Sequence, residues 1–284
     1  MTDGASRQQL GLLALGRAAS EGAKQVLGWR LKTRLLVLAV GCAALFVPQS
    51  WAEVIYVLSV VALVLEVVVW ILSQWGHEKH VLGEQARRHA MVASAFGESP
   101  EPVEERELRS KFSKSDERRA AILDDPHYYA SDTEAGLPRL SELLQESAFF
   151  SKHLYKKAAS RACVLVAVLL GGVAVAALIA LPTTAGDTSL LIARLVVVVL
   201  GVFIGIDVLG RARSWDGAAR EVEAVYRRLG ATGARRSSKV LMGILADYSV
   251  TTADCPPIPT DIHEREREGL DRLWAQSRPG GNQP

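Results

Sequence analysis

The sequence predicts an all-helical membrane protein, with four transmembrane helices in two hairpins and a cytoplasmic helical body. Two pairs of apolar runs predict the hairpins, at 35–47 with 54–75 and at 162–181 with 190–209. Each arm of the second pair holds about 20 residues, enough at about 1.5 Å per residue to cross a hydrocarbon core about 30 Å thick. Strand-like alternation of apolar and polar residues does not occur, which favours helices throughout.

The basic residues predict the topology. Of the 33 Lys and Arg residues only Arg194 lies within a predicted span, and neither short turn, 48–53 or 182–189, contains one. The positive-inside rule therefore places both termini and the central segment in the cytoplasm. The net charge of +2 does not indicate a nucleic-acid polymer as a partner.

These assignments divide the chain into five parts. They are a cytoplasmic amphipathic N-terminal segment (1–34), the first transmembrane hairpin (35–75), a cytoplasmic helical segment (76–161), the second hairpin (162–209) and a cytoplasmic helical tail (210–284). At the end of the first part, Arg30, Lys32 and Arg34 are expected to reach the lipid headgroups. Two prolines and dense acid predict a mobile linker near 97–107.

The polar segments carry helical patterns of their own. The second span stays helix-compatible to about Ala95, and the helix at 141–162 is expected to run directly into the third span. Apolar stripes at helical spacing include Leu140, Leu143 and Leu144 before the second hairpin. A further stripe in the tail contains Leu241, Ile244 and Tyr248.

Three ionisable residues lie within the predicted spans and are candidates for a membrane pore or its gating. Glu66 lies near the bilayer midplane, where an ionisable group costs about 2.5–3.5 kcal/mol. It either lines a conducting path or, in protonated form, bonds a neighbouring helix. Arg194 and Asp207 lie near opposite ends of the fourth span, so they cannot pair with each other within one subunit. Snorkelling to the interface is the alternative for Arg194.

Glycines in the second hairpin are candidates for helix packing. Gly201 and Gly205 form a GxxxG step, and Gly171 with Gly172 opens a small-residue face on the third span. Small residues at this spacing let helix backbones approach closely. Packing within the hairpin and assembly of subunits both remain open at this point.

Metal and anion signals are weak. His77 and His80 form an HxxH step, but no other ligands converge in sequence, so a solvated helix face is favoured over a metal site. The three cysteines show no ligand or disulfide spacing. A basic run is a candidate for contacts with an anionic ligand or with headgroups, or is a solvated cationic face; it contains Arg227, Arg228, Arg235 and Arg236.

Enzymatic motifs do not occur in the sequence. It contains no GxSxG elbow, no Walker loop and no GxGxxG fingerprint. We therefore expect a protein that is not an enzyme and that needs no cofactor.

The order of parts resembles a known family. The residues that carry the resemblance are LQES at 144–147 with the basic stretch after it, Asp247-Tyr248, the Pro256-Pro257-Ile258-Pro259 segment and Leu273-Trp274. The chain is similar from about residue 30 to 275 to the SMODS-associating four-transmembrane effectors, bacterial proteins encoded beside nucleotidyltransferases that make cyclic-oligonucleotide signals in antiphage defence.

The resemblance implies an effector in the bacterial inner membrane, with both termini cytoplasmic. Its partners would be the lipid bilayer, further copies of the chain and a cyclic oligonucleotide sensed by the cytoplasmic helices, and its action would be to permeabilise the membrane in abortive infection. The resemblance assigns no ligand-binding residue. The alternatives are a small ion channel or transporter subunit, and a scaffold that recruits a soluble partner.

Overall fold

The chain is mainly helical wherever the structure describes it. This computed structural model describes residues 11–45, 51–97, 102–123, 133–180, 188–231 and 237–277. No strand occurs in these ranges, so the predicted all-helical fold is confirmed. In chain order the α-helices are α1 (Leu12–Leu45), α2 (Ala52–Phe96), α3 (Pro102–Ser110), α4 (Lys114–Leu123), α5 (Leu137–Ala180), α6 (Thr188–Ala231), α7 (Ser238–Asp254) and α8 (Thr260–Ser277).

Four of these helices are longer than a bilayer requires. α1 has 34 residues, α2 has 45, and α5 and α6 have 44 each, whereas about 20 residues span a hydrocarbon core. α2 continues to Phe96 and α5 begins at Leu137, so the predicted extensions of the second and third apolar runs are confirmed. Each of these apolar runs therefore belongs to a helix that also carries a polar segment.

One helix within the described ranges is long and apolar enough to cross a membrane. It covers Tyr56–Phe96, and almost none of its most apolar stretch is buried by other residues. The side chains of residues 179–204, which include most of the predicted fourth span, lie outside the described residues. The structure is therefore compatible with a membrane protein in which this helix crosses the bilayer.

The chain divides into two compact units. The body unit comprises Met1–Lys24, Gly76–Ala158 and Ser214–Pro284, and the apolar unit comprises Gln25–Trp75 and Ala159–Arg213. Three of the boundaries fall at or close to the predicted limits of the hairpins. The first boundary falls after Lys24 and not after residue 34.

The core of the body unit is built from helical stripes that the sequence predicts. Leu140, Leu143 and Leu144 of α5 are buried, and so are Leu241 and Ile244 of α7. Within each helix these residues recur at the spacing that places them on one face. Burial of a large aliphatic side chain contributes about 1.5–3 kcal/mol, so the two stripes are a main source of stability for this unit.

The start of α1 is buried in protein. Leu12 and Leu15 belong to a cluster that also contains Ala86 of α2, Leu108 of α3 and Phe112. The amphipathic face predicted for segment 1–34 is real, but in the described residues up to Lys24 other helices of the body unit cover it. In the described residues up to Lys24, the apolar face of the amphipathic segment therefore packs in the core of the body unit.

α1 and α2 cross at two glycines. A Cβ on Gly83 would lie 2.5 Å from Ser20 Oγ and 2.9 Å from the backbone oxygen of Gly16. A Cβ on Gly16 would in turn lie 2.9 Å from the backbone oxygen of Gly83. Because backbone atoms cannot rotate away as a flexible side chain can, this crossing requires residues without a Cβ.

The linker predicted near 97–107 is in part a helix, which corrects that prediction. α3 starts at Pro102, a residue whose fixed φ suits the first helical position. Glu105 accepts hydrogen bonds from Arg109 one turn later, at 3.0 Å from Nε and 2.8 Å from Nη2. Leu108 is buried on the inner face of this helix. Tertiary burial therefore outweighs the linker-like composition of the segment.

The proline segment that joins α7 to α8 is held by α6. Trp215 donates a hydrogen bond from Nε1 to the carbonyl oxygen of Pro256, at 2.9 Å. The thiol of Cys255 lies 3.8 Å from the carbonyl oxygen of Ser214. At the far end of α8, the Trp274 ring packs on Phe149 of α5 with a centroid distance of 5.3 Å. The segment from Cys255 to the end of α8 is thus held on the body unit at both of its ends.

Candidate functional site

Polar side chains of three helices meet inside the body unit and form what we call the polar network. Its members share a helical spacing of three or four residues on each helix, so each helix contributes one face. They are His80, Glu84 and Arg87 of α2, Ser151 and Tyr155 of α5, and Tyr248 and Thr252 of α7.

Arg87 is the centre of the polar network. Its Nη2 donates to Glu84 Oε2 at 2.8 Å and to the Tyr248 hydroxyl at 3.0 Å. The guanidinium carbon also lies 5.6 Å from the centroid of the Tyr248 ring. The same hydroxyl lies 2.9 Å from Ser151 Oγ. One arginine therefore ties α2 to α7, and the tyrosine ties both to α5.

Burial fixes the protonation of the tyrosines in the network. Removal from water raises the pKa of Tyr248 and raises that of Tyr155 well above its ordinary value. Both phenols are therefore neutral, and Tyr248 can accept from Arg87 while its own hydrogen stays free for Ser151. The network is a set of hydrogen bonds with one cation and one carboxylate, and it contains no activated nucleophile.

His80 is a buried, neutral member of the same network. Its Nε2 lies 3.0 Å from the carbonyl oxygen of Thr252, and because a carbonyl only accepts, Nε2 must carry the hydrogen. Burial lowers the pKa of His80, with Arg87 adding to that effect and Glu84 opposing it. The prediction of a solvated helix face was wrong for His80, whereas His77 is exposed as expected.

Cys255 lies beside the polar network, and its thiol is not reactive. Burial raises the pKa of this thiol to about 12. A thiol that stays protonated at neutral pH is neither a nucleophile nor a metal ligand. No group of three or more potential metal ligands occurs among the described residues.

The network leaves little empty space. A cleft lined by Glu84, Arg88, Met91 and Tyr248 has room for about one water molecule. A ligand the size of a nucleotide does not fit there while the helices are packed as described. Any such ligand would have to separate Arg87 from Tyr248 first.

The predicted span residues lie in the apolar unit. Glu66 of α2 is half-buried, and its neighbours Val64 and Val67 are exposed. The side chain of Arg194 lies outside the described residues. Asp207 pairs with a residue on another helix, since its Oδ1 lies 2.8 Å from Arg30 Nη2. Arg30, which the sequence predicts to reach the lipid headgroups, is thus also an ion-pair partner of Asp207.

The predicted packing glycines differ in their surroundings. A Cβ on Gly205 would lie 2.7 Å from Leu170 Cδ2, so α6 approaches α5 closely at this point. Gly171 and Gly172 face open space in the described part of the chain. The side chain position of Gly201 lies outside the described residues. The closest glycine crossing in the described chain, at Gly16 and Gly83, was not predicted.

The predicted basic run is partly neutralised. Arg227 and Arg228 are both exposed on α6, and Arg228 pairs with Asp247 at 2.7 Å. Arg235 and Arg236 lie outside the described residues. The described half of this run is therefore an exposed helix face that carries one ion pair.

No protein-family model, no curated protein and no solved structure matches the chain. The class of protein is therefore described from the fold and the polar network alone. Within the described ranges the chain is all-helical, with one apolar helix of membrane-spanning length and a tightly packed polar network in the body unit.

We predict that His80 makes the stability of the body unit depend on pH. The native ring is neutral with a lowered pKa, so below the ordinary value of 6.5 the unfolded chain binds more protons than the native one. The contribution of His80 is therefore complete above that value and is lost as the pH falls through it towards the native pKa. The melting temperature of the purified protein should fall on acidification across this window.

The matched variants are His80→Gln, which keeps a donor for Thr252, and His77→Gln at the exposed position. His80→Gln should flatten the acid slope of the melting temperature, and His77→Gln should retain it. Equal slopes in the two variants would rule out His80 as the source.

Proposed function

We propose that this chain is a non-enzymatic effector of the bacterial inner membrane, with four spans, that permeabilises the membrane when its helical body senses a nucleotide signal. The observation that carries the membrane part is the exposed apolar surface of the apolar unit. On α2, Leu63 is 67% exposed and Trp70 is 63% exposed, and on α5 Val168 is 65% exposed. Soluble monomers rarely expose contiguous apolar patches of more than a few hundred Å², whereas lipid covers such a surface without cost.

The aromatic residues support the same proposal. Trp51 and Tyr56 lie at one end of the second apolar run and Trp75 lies at its other end, and all three are exposed. Tryptophan and tyrosine are enriched at both interfaces of a bilayer. Their positions suit a span of α2 between these residues.

The sensing part is supported by the helices that the polar network uses. α2 carries Glu66 and also Arg87, and α5 carries Ser151 and continues to Ala180. A ligand that breaks the bond between Arg87 and Tyr248 would therefore act on the same helices that hold the apolar runs. Such a ligand must favour an opened body over the packed one, because only a difference in affinity shifts a conformational equilibrium.

The resemblance to the four-transmembrane effectors suggests the kind of signal, a cyclic oligonucleotide, and assembly into an oligomer. The Tyr248 that carries part of that resemblance is also the residue that joins three helices of the body. A nucleotide that inserts at this residue would compete with Arg87 for its position.

The deciding experiment is inducible expression in bacteria with a membrane-potential dye. The chain is expressed alone, with an active cyclic-oligonucleotide synthase, and with the same synthase made catalytically inactive. Depolarisation with the active synthase alone supports the proposed effector. An intact potential in all three strains refutes permeabilisation, and steady solute flux without a signal would favour a channel or transporter subunit.

Within this assay we predict that Glu66→Gln lowers the rate of depolarisation about tenfold, equivalent to about 1.4 kcal/mol of gating free energy. A half-buried carboxylate among exposed apolar residues is costly to place in lipid unless it contacts water or another helix in the active state. Glu53→Gln is the matched control, since Glu53 is exposed in the first turn of the same helix. If Glu66→Gln and Glu66→Ala both depolarise like the wild type, Glu66 has no gating role.

A further inference from the structure

Three arginines surround one aspartate in the apolar unit, and we call this group the arginine cluster. Arg30 and Arg34 lie one turn apart on α1, and Asp207 and Arg211 lie one turn apart on α6. Asp207 Oδ1 lies 2.8 Å from Arg30 Nη2, and Oδ2 lies 2.9 Å from Arg211 Nη2. Arg34 pairs with the same Oδ2.

The charges of the arginine cluster do not balance. The three guanidinium groups share one carboxylate, and no other acidic residue in the described chain forms an ion pair with them. The cluster therefore holds two positive charges in excess. The three arginine side chains are only 12–18% exposed, so water screens this excess poorly.

Hydrogen-bond donors of the cluster are left unused. The Nε atoms of Arg30, Arg34 and Arg211 are buried and have no acceptor among the described residues. A buried donor without an acceptor is costly, and native structures satisfy nearly all such groups. Burial lowers the pKa of Arg30 and of Arg211, and Asp207 opposes this only in part.

We propose that the arginine cluster is a binding site for a phosphate group. A phosphate supplies negative charge and several acceptor oxygens, and the planar fork of a guanidinium matches its geometry. Asp207 holds the three forks together and leaves the excess charge for the ligand.

The position of the cluster along the chain favours the phosphate of an anionic lipid headgroup. Arg30 and Arg34 directly precede the apolar run at 35–47, and Arg211 directly follows the run that ends at 209. In the proposed topology both places lie at the inner leaflet, where anionic headgroups concentrate. The lipid source depends on that topology, whereas the phosphate site itself does not.

The test uses the full-length protein in two kinds of preparation, micelles of dodecyl maltoside, a detergent without phosphate, and the same micelles with added phosphatidylglycerol. Inorganic phosphate is added to the first kind at constant ionic strength, with chloride as the reference. The melting temperature reports stabilisation, and native mass spectrometry reports retained phosphatidylglycerol. A rise with phosphatidylglycerol alone identifies a headgroup, and a rise with inorganic phosphate identifies a soluble source. No rise in either arm overturns the proposal.

The variants show whether the arginine cluster is responsible. Arg34→Gln combined with Arg211→Gln should weaken binding of the stabilising anion about tenfold or more, since charge-assisted bidentate bonds are lost. Arg213→Gln, at an exposed position on the same helix, should bind as the wild type does. Equal losses in these two proteins would show a diffuse surface effect and overturn the assignment.

Asp207→Asn keeps the test decisive if the double variant does not fold. It removes the negative charge that competes with the ligand, so its melting temperature should be lower in the phosphate-free detergent and should rise more than that of the wild type with the anion. A cluster that serves only as a salt bridge between α1 and α6 predicts no larger rise. Because the readout is binding by the purified protein, its failure would leave the proposed permeabilisation untouched.

Discussion

Gly83→Leu should destabilise the protein by about 3 kcal/mol or more, a larger effect than most single substitutions produce. The reason is the crossing of α1 and α2, where even a Cβ at this position would lie 2.9 Å from the backbone oxygen of Gly16. The two helices must then separate, and separation exposes the cluster that contains Leu12, Leu15 and Phe112. Thermal unfolding of the protein in detergent, followed by circular dichroism, measures the loss.

The matched control for this prediction is Gly243→Leu. Gly243 lies within α7, and a Cβ there would meet nothing within 4 Å in the described chain. Leucine is the better helix former by about 0.8 kcal/mol, so this variant should be as stable as the wild type or slightly more stable. Similar melting temperatures for the two leucine variants would contradict the crossing as described.

Arg87→Met should cost about 3 kcal/mol, because it leaves the Glu84 carboxylate without its cation and removes the hydrogen bond from Arg87 to the Tyr248 hydroxyl. Methionine keeps the apolar length of the arginine stem, so the loss reports mainly the polar contacts. Denaturant unfolding of the purified protein gives the free energy. Arg88→Met, one residue further at an exposed position, should change it by less than about 0.5 kcal/mol.

A double-mutant cycle separates the contacts of Arg87. If the stranded Glu84 carboxylate causes most of the loss, Glu84→Gln combined with Arg87→Met should be more stable than Arg87→Met alone. If the changes in the free energy of unfolding of the two single variants add, the loss does not come from the contact between Arg87 and Glu84. The loss would then belong to Tyr248 and to the packing of the Arg87 stem.

Much of the helical framework could be predicted from local patterns. The apolar runs and the stripes at Leu140–Leu144 and at Leu241–Tyr248 repeat with helical spacing, and this spacing alone indicates which face is buried. α3 was missed because its prolines and acids are typical of a linker, while the burial of Leu108 depends on helices far away in sequence. Tertiary contacts of that kind leave no local signal.

The candidate sites were harder to predict for the same reason. Arg30 and Asp207 are 177 residues apart, and no periodicity indicates that their helices meet. The polar network did have a signal in the sequence: His80, Glu84 and Arg87 lie at i, i+4 and i+7, which places them on one face of a helix together with the small Gly83. Only its His80 was interpreted, as part of a solvated HxxH step, because no other metal ligands converge there in sequence.

The buried thiol of Cys255 can report opening of the body unit. The pKa of about 12 keeps the sulfur unreactive while the Pro256 carbonyl stays bonded to Trp215 and the thiol stays buried. Alkylation of Cys255 then advances only in those molecules in which the Cys255–Pro256 segment has separated from α6, and it is measured at this residue because Cys163 is exposed. The fraction modified over time therefore measures how often the resting body opens.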